Sequence, residues 1–117
     1  MCSIKKSMKT DTARVKIRRE CTDQSWPDIT QSIVNFFPRL IQTFEEANDF
    51  FQEKTSRYPL EYYELFVSPA IAVLSLEEVE KLITILEEKT SAKVDEGSFK
   101  ISFNGKQYTI SIEYPCG

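Results

Sequence analysis

Three cysteines, eighteen carboxylates and fifteen cations carry whatever chemistry this 117-residue chain can do, and histidine is absent. That absence removes the commonest general base and the commonest transition-metal ligand together. Neither a Ser-His nor a Cys-His nucleophile pair can be assembled. Cys21 follows Arg18, Arg19 and Glu20, and neighbouring cations depress a thiol pKa, which is what a cysteine nucleophile needs. Cys21 also fits as a small apolar side chain completing the inner face of a strand, and this structural role is the expectation. Cys2, Cys21 and Cys116 form an odd set with no CxxC spacing, as expected of reduced thiols in a cytoplasmic protein.

The carboxylates cluster at helical spacing. Glu46, Asp49 and Glu53 stand at i, i+3 and i+7, while Glu77, Glu78, Glu80, Glu87 and Glu88 crowd a second segment. A helical di-iron site needs Glu-x-x-His pairs pointing into a core. Here the acids lie opposite an apolar stripe, so a solvated outer face is expected rather than a metal site. Gly97 and Gly105-Lys106 match neither the P-loop nor the dinucleotide-binding spacing, so no phosphate cradle is present. The sequence predicts no catalytic residue, no metal and no small-molecule cofactor.

The cations are unevenly placed. Residues 1–20 hold seven basic side chains against Asp11 and Glu20; the remainder holds eight basic against sixteen acidic. Lys5, Lys6, Lys9, Arg14, Lys16 and Arg18 form a set able to neutralise a handful of phosphates. The competing structural reading is an edge strand guarded by charge against pairing with other chains. No aromatic is interleaved with these cations in sequence for base stacking.

These residues must be positioned by secondary structure. Ala13 to Cys21 alternates, with Val15, Ile17 and Cys21 on one side and Arg14, Lys16 and Arg18 on the other; this is the period of a half-buried strand. Residues 1–12 have no period and read as a flexible basic arm, leaving 13–117 as a single domain. From Ile29 an apolar stripe runs through Ile33, Phe36, Leu40, Phe44, Ala47 and Phe51, at helical spacings of three and four. Pro38 interrupts it, which predicts one kinked helix or two helices meeting near Phe37. Pro59 suits the first position of a short helix through Phe66.

Ala70 to Leu74 is a continuous apolar run of five residues. That is far short of the ~20 needed to span a membrane. Its length favours a buried strand, the alternative being one helix from Ser68-Pro69 to Lys89. Ser75-Leu76-Glu77-Glu78 is a capping box for a helix with Leu76, Val79, Leu82, Ile83 and Leu86 inward. Ala92 to Asp95 can add an edge strand. Phe99, Ile101 and Phe103, then Asn104-Gly105, then Tyr108, Ile110, Ile112 and Tyr114 read as a β-hairpin with one apolar face, closed by a type I′ turn.

The sum is an α+β domain of two layers, with amphipathic helices on one face of a small, mainly antiparallel sheet. The adjacent pairs Phe36-Phe37 and Phe50-Phe51 cannot all face one narrow core line on a helix. Exposed rings would mark a partner surface. The expectation is a non-enzymatic protein-interaction module, such as a small acidic regulator, inhibitor, immunity-type protein or adaptor. It would dock on a protein partner or form a homo-oligomer, with Phe37, Phe50 and Tyr62 as anchors and Glu46, Asp49 and Glu53 steering a basic surface. The alternative is a nucleic-acid-associated regulator using the basic arm. No membrane segment is expected.

Overall fold

The structure, a computed structural model, describes residues 12–59, 68–93 and 97–114. Their order is β1 (Thr12–Arg19), α1 (Thr30–Ile33), α2 (Pro38–Arg57), β2 (Ala70–Ser75), α3 (Leu76–Thr90), β3 (Ser98–Phe103) and β4 (Lys106–Glu113). The four strands form one antiparallel sheet in the order β2-β1-β4-β3, and helices cover one face of it. The two-layer α+β architecture is the one the hydrophobic periods predict.

Local signals explain the clearest boundaries. The Ser75 hydroxyl accepts from the Glu78 amide at 3.1 Å, and the Glu78 carboxylate accepts from the Ser75 amide at 3.0 Å. This closes the capping box and satisfies two of the helix's orphan donors. α3 ends on Ser91 in the left-handed region. Asn104 and Gly105 take φ of 55° and 81°, the positive pair that a type I′ turn requires.

Pro38 resolves the interrupted stripe. It is the first residue of α2, where its missing N–H costs nothing. Residues before a proline avoid helical backbone, and Phe37 sits at φ −133°, ψ 69°. Of the two expected arrangements, the separate helices form. The break also shifts the phase: Phe37 is 3% exposed and belongs to the core, whereas Phe36 is 69% exposed. This reverses the expectation for both rings, because the turn at 34–36 rotates the chain out of register with an uninterrupted helix.

The core joins Val15 and Ile17 of β1, Ile110 of β4, Phe99 and Ile101 of β3, Leu40, Phe44 and Ala47 of α2, and Val79, Leu82 and Leu86 of α3. Each buried aliphatic or aromatic side chain contributes about 1.5–3 kcal/mol relative to exposure. Residues 70–75 are a strand, but a half-buried one: Ala70, Ala72 and Leu74 point inward while Ile71 and Val73 are exposed. Leu76 and Tyr114 are also exposed rather than inward, because each lies at the margin of its element.

Two further expectations meet corrections. β1 is not an edge strand; it pairs with β2 on one side and β4 on the other. Its cations therefore lie in the middle of the open sheet face and guard no edge. β1 also ends at Arg19, so Cys21 lies beyond it and is exposed instead of completing the inner face. Residues 1–11, all but Pro59 of the helix expected from Pro59 through Phe66, and the last part of the edge strand expected at 92–95 lie outside the described residues; Thr12 is already in β1.

Candidate functional site

Strand alternation and register dictate what each sheet face presents. On the open face, Arg14 stands beside Val73 and Glu113, Lys16 beside Ile71 and Ser111, and Arg18 beside Thr109, with Lys100 on the far side of Thr109. Glu113 is within 3.3 Å of Lys16 Nζ and 3.9 Å of Arg14 Nε, and the Thr109 hydroxyl donates to Glu20 at 2.6 Å. Much of the positive charge here is locally compensated.

An aromatic does join this face, from a place the sequence did not reveal. Residues 27–29 run along the outer edge of β3, where the Ser102 amide donates to the Pro27 carbonyl at 2.7 Å and the Ile29 amide to the Ser102 carbonyl at 3.0 Å. The strap carries Trp26 beside Gln107, whose side-chain oxygen accepts from the Trp26 amide at 3.3 Å. Lys100 Nζ then lies 5.8 Å from the indole centroid, within cation–π range.

The inner face ends differently. Arg19 is in phase with Val15 and Ile17, so it points toward the helices. Its guanidinium lies 4.4 Å from the Phe51 ring centroid and donates to the Asn48 side-chain oxygen at 2.6 Å. Next to it, Phe44 of α2 stacks on Phe103 at 4.3 Å and meets the edge of Tyr108 at 4.8 Å. Where these rings stop, a recess of about 260 Å³ opens between α2 and the β3–β4 turn, lined by the three rings together with Glu45, Asn48, Asp49, Asn104 and Lys106.

Tyr108 is 2% exposed; its hydroxyl has no hydrogen-bond partner among the described residues and borders the recess. Burial pushes the phenol above its ordinary value of 10.0; Arg19 pulls it down, and Asp49 and Glu45 push it further up. The field at this hydroxyl is thus set by one cation and two carboxylates.

The sequence-predicted partner residues divide. Glu46, Asp49 and Glu53 lie exposed along α2, with Phe50 among them at 38% exposure; Glu53 is 3.8 Å from Arg57. Phe37 is removed from the set by its burial. Tyr62, Lys5, Lys6 and Lys9 lie outside the described residues, as do Cys2 and Cys116. Glu45, Asn48, Trp26 and Arg19 were not singled out as site residues. The parity of β1 already placed Arg19 inward, whereas the others depend on contacts between distant segments.

Among the described residues no group of three or more carboxylates or cysteines is placed to hold a metal ion, and no helix is long and apolar enough to cross a membrane. No family model, curated protein or solved structure matches the chain.

Proposed function

We propose that this protein is a non-enzymatic protein-interaction module, a small acidic regulator or adaptor that docks a basic surface of a partner protein against α2. The observation that carries this reading is the outer side of α2. Glu45, Glu46, Asp49 and Glu53 are exposed there around the half-exposed ring of Phe50, and Glu45 and Asp49 border the recess. Clustered like charges raise encounter rates with an oppositely charged surface, and an aromatic in their midst supplies desolvated contact area once docked. Phe36, exposed just before α2, adds apolar area near the same helix.

The test is capture by the tagged full chain from its source lysate, with nuclease, at two salt concentrations. The Glu46→Lys/Asp49→Lys/Glu53→Lys triple variant and Phe50→Ala run in parallel. The expected result is a stoichiometric protein partner that survives nuclease, is lost with the triple variant and weakens with Phe50→Ala, while both variants keep the parent's circular dichroism. A partner set unchanged by the triple variant overturns the reading.

The nucleic-acid alternative draws support from Trp26 beside Lys100 on the face that carries Arg14, Lys16 and Arg18. It is weakened by the Glu113 contacts that occupy two of those cations. Deleting residues 1–20 is the wrong test, because it removes the central strand. Titrating a single-stranded oligonucleotide while reading Trp26 fluorescence, with Lys100→Gln as control, tests the face itself. Salt-sensitive quenching that Lys100→Gln reduces would favour this alternative.

A further inference from the structure

We infer that the recess between α2 and the β3–β4 turn is the anchor pocket of the docking surface, and that it receives an arginine side chain of the partner. The inference rests on the protein-interaction reading and names the chemistry that the surface recognises.

Size comes first. Pockets for drug-sized ligands run from about 300 to 1,000 Å³, and this one is about 260 Å³, which suits one long side chain. Its chemistry is that of a cation site with an aromatic floor. The Phe44–Phe103 stack and Tyr108 close the floor as buried rings exposed only at their margins, and Glu45 and Asp49 supply carboxylates on the α2 side. The Tyr108 side chain is 2% exposed and borders the recess, and its hydroxyl has no hydrogen-bond partner among the described residues. The phenol oxygen is therefore open to a donor that enters the recess. Asn48 and Asn104 add polar groups at the walls.

Arginine fits better than lysine. A planar guanidinium presents five donors in a fixed fork, enough for two carboxylates and a phenol oxygen together; an ammonium has three. The chain already uses this chemistry internally, with Arg19 set over Phe51 and bonded to Asn48. Lys106 opposes an incoming cation from the hairpin side. Its removal should therefore tighten binding, a sign that packing alone does not predict.

The test is a titration of the 15N-labelled full chain with a capped Gly-Ser-Arg-Ser-Gly peptide and its lysine and citrulline counterparts. Supporting results are saturable shifts of the Asn48, Asp49, Asn104 and Lys106 amides with the arginine peptide and none with citrulline. Asp49→Asn should weaken binding about fivefold and Lys106→Ala should strengthen it about twofold, the scale of one modest electrostatic contact. Tyr108→Phe, which keeps the ring, should weaken binding without changing the fold. Equal response to the lysine peptide overturns the choice of arginine. Shifts confined to Glu46, Phe50 and Glu53 overturn the pocket while leaving the acidic docking face intact. No shift with any peptide also overturns the pocket, and the capture experiment then judges the wider reading alone.

Discussion

The inner face of the sheet changes character from one end to the other. Around Leu74, Ala13 and Ala72 it is aliphatic, and every inward side chain of β1 and β2 there is buried. At the other end, where Arg19 pairs with Tyr108 and Phe103 with Lys106, the inward positions carry a guanidinium, a phenol, a stacked ring and an ammonium. The register puts both ends under the same helical layer. The difference teaches where a small domain can place recognition: at the margin where apolar side chains run out and inward positions turn polar without leaving the rigid sheet.

The largest test of that contrast is at its boundary. Phe44 is fully buried and touches both Phe103 and Tyr108. Phe44→Ala should cost about 3–5 kcal/mol, the range for truncating a buried aromatic, and should also widen the recess. Ile17→Ala, deeper in the sheet, should cost about 2–5 kcal/mol and leave the Asn48 and Asn104 amides where they are. Urea unfolding with amide spectra checks both. A Phe44→Ala loss below about 1 kcal/mol would mean that the aromatic end is loosely packed and the contrast is false.

Both ends were legible in sequence wherever the signal is local, for physical reasons. The alternation of Val15 and Ile17, the Ser75–Glu78 box and the Asn104-Gly105 turn are short-range patterns whose structural outcome the chain fixes locally. The exchange of Phe36 and Phe37 was not legible, since it depends on whether Pro38 kinks one helix or starts another. The recess and the Trp26 strap bring together residues far apart in sequence, such as Asn48 with Asn104 and Pro27 with Ser102. No local period reports such meetings. Of the two candidate anchors among the described residues, Phe50 keeps the expected exposure and Phe37 does not, while Asp49 is the one acid of the predicted set that reaches the recess.

A smaller effect is expected at Arg19. Its Nε is buried without a hydrogen-bond partner among the described residues, which offsets part of what the Phe51 and Asn48 contacts contribute. Arg19→Met keeps an unbranched stem and removes the charge, so it should change stability by less than about 1 kcal/mol. A loss above about 2 kcal/mol would show that the cation holds the polar end together.

At neutral pH Tyr108→Phe should be smaller still, since the phenol is protonated there and has no partner to lose. The alkaline limb is where it tells. The folded pKa lies above 10.0, chiefly through burial, so the native state holds the proton more tightly than the unfolded chain. The associated stability is complete below pH ~10 and is lost as pH rises through the folded value. Tyr108→Phe should flatten the fall in melting temperature above pH ~10; an unchanged slope would mean that the hydroxyl is already solvated.

The smallest expected effect concerns how the hairpin tip beside the recess is held. The Asp28 carboxylate accepts from the Thr30 hydroxyl at 2.6 Å and the Thr30 amide at 2.9 Å, and the Thr30 oxygen accepts from the Asn104 amide at 2.7 Å. Those two bonds hold the Asp28 carboxyl below its ordinary 3.8, with a lesser contribution from Lys89. A depressed folded pKa contributes stability above the unfolded value and loses it as pH falls through the folded one. The contribution is modest because Asp28 is exposed. The sharper readout is positional: the Asn104 amide proton should titrate with a midpoint below pH 3.8, and Asp28→Asn should abolish that step. A midpoint at or above 3.8 would mean that the relay does not reach the tip, leaving the position of Asn104 to the type I′ turn alone.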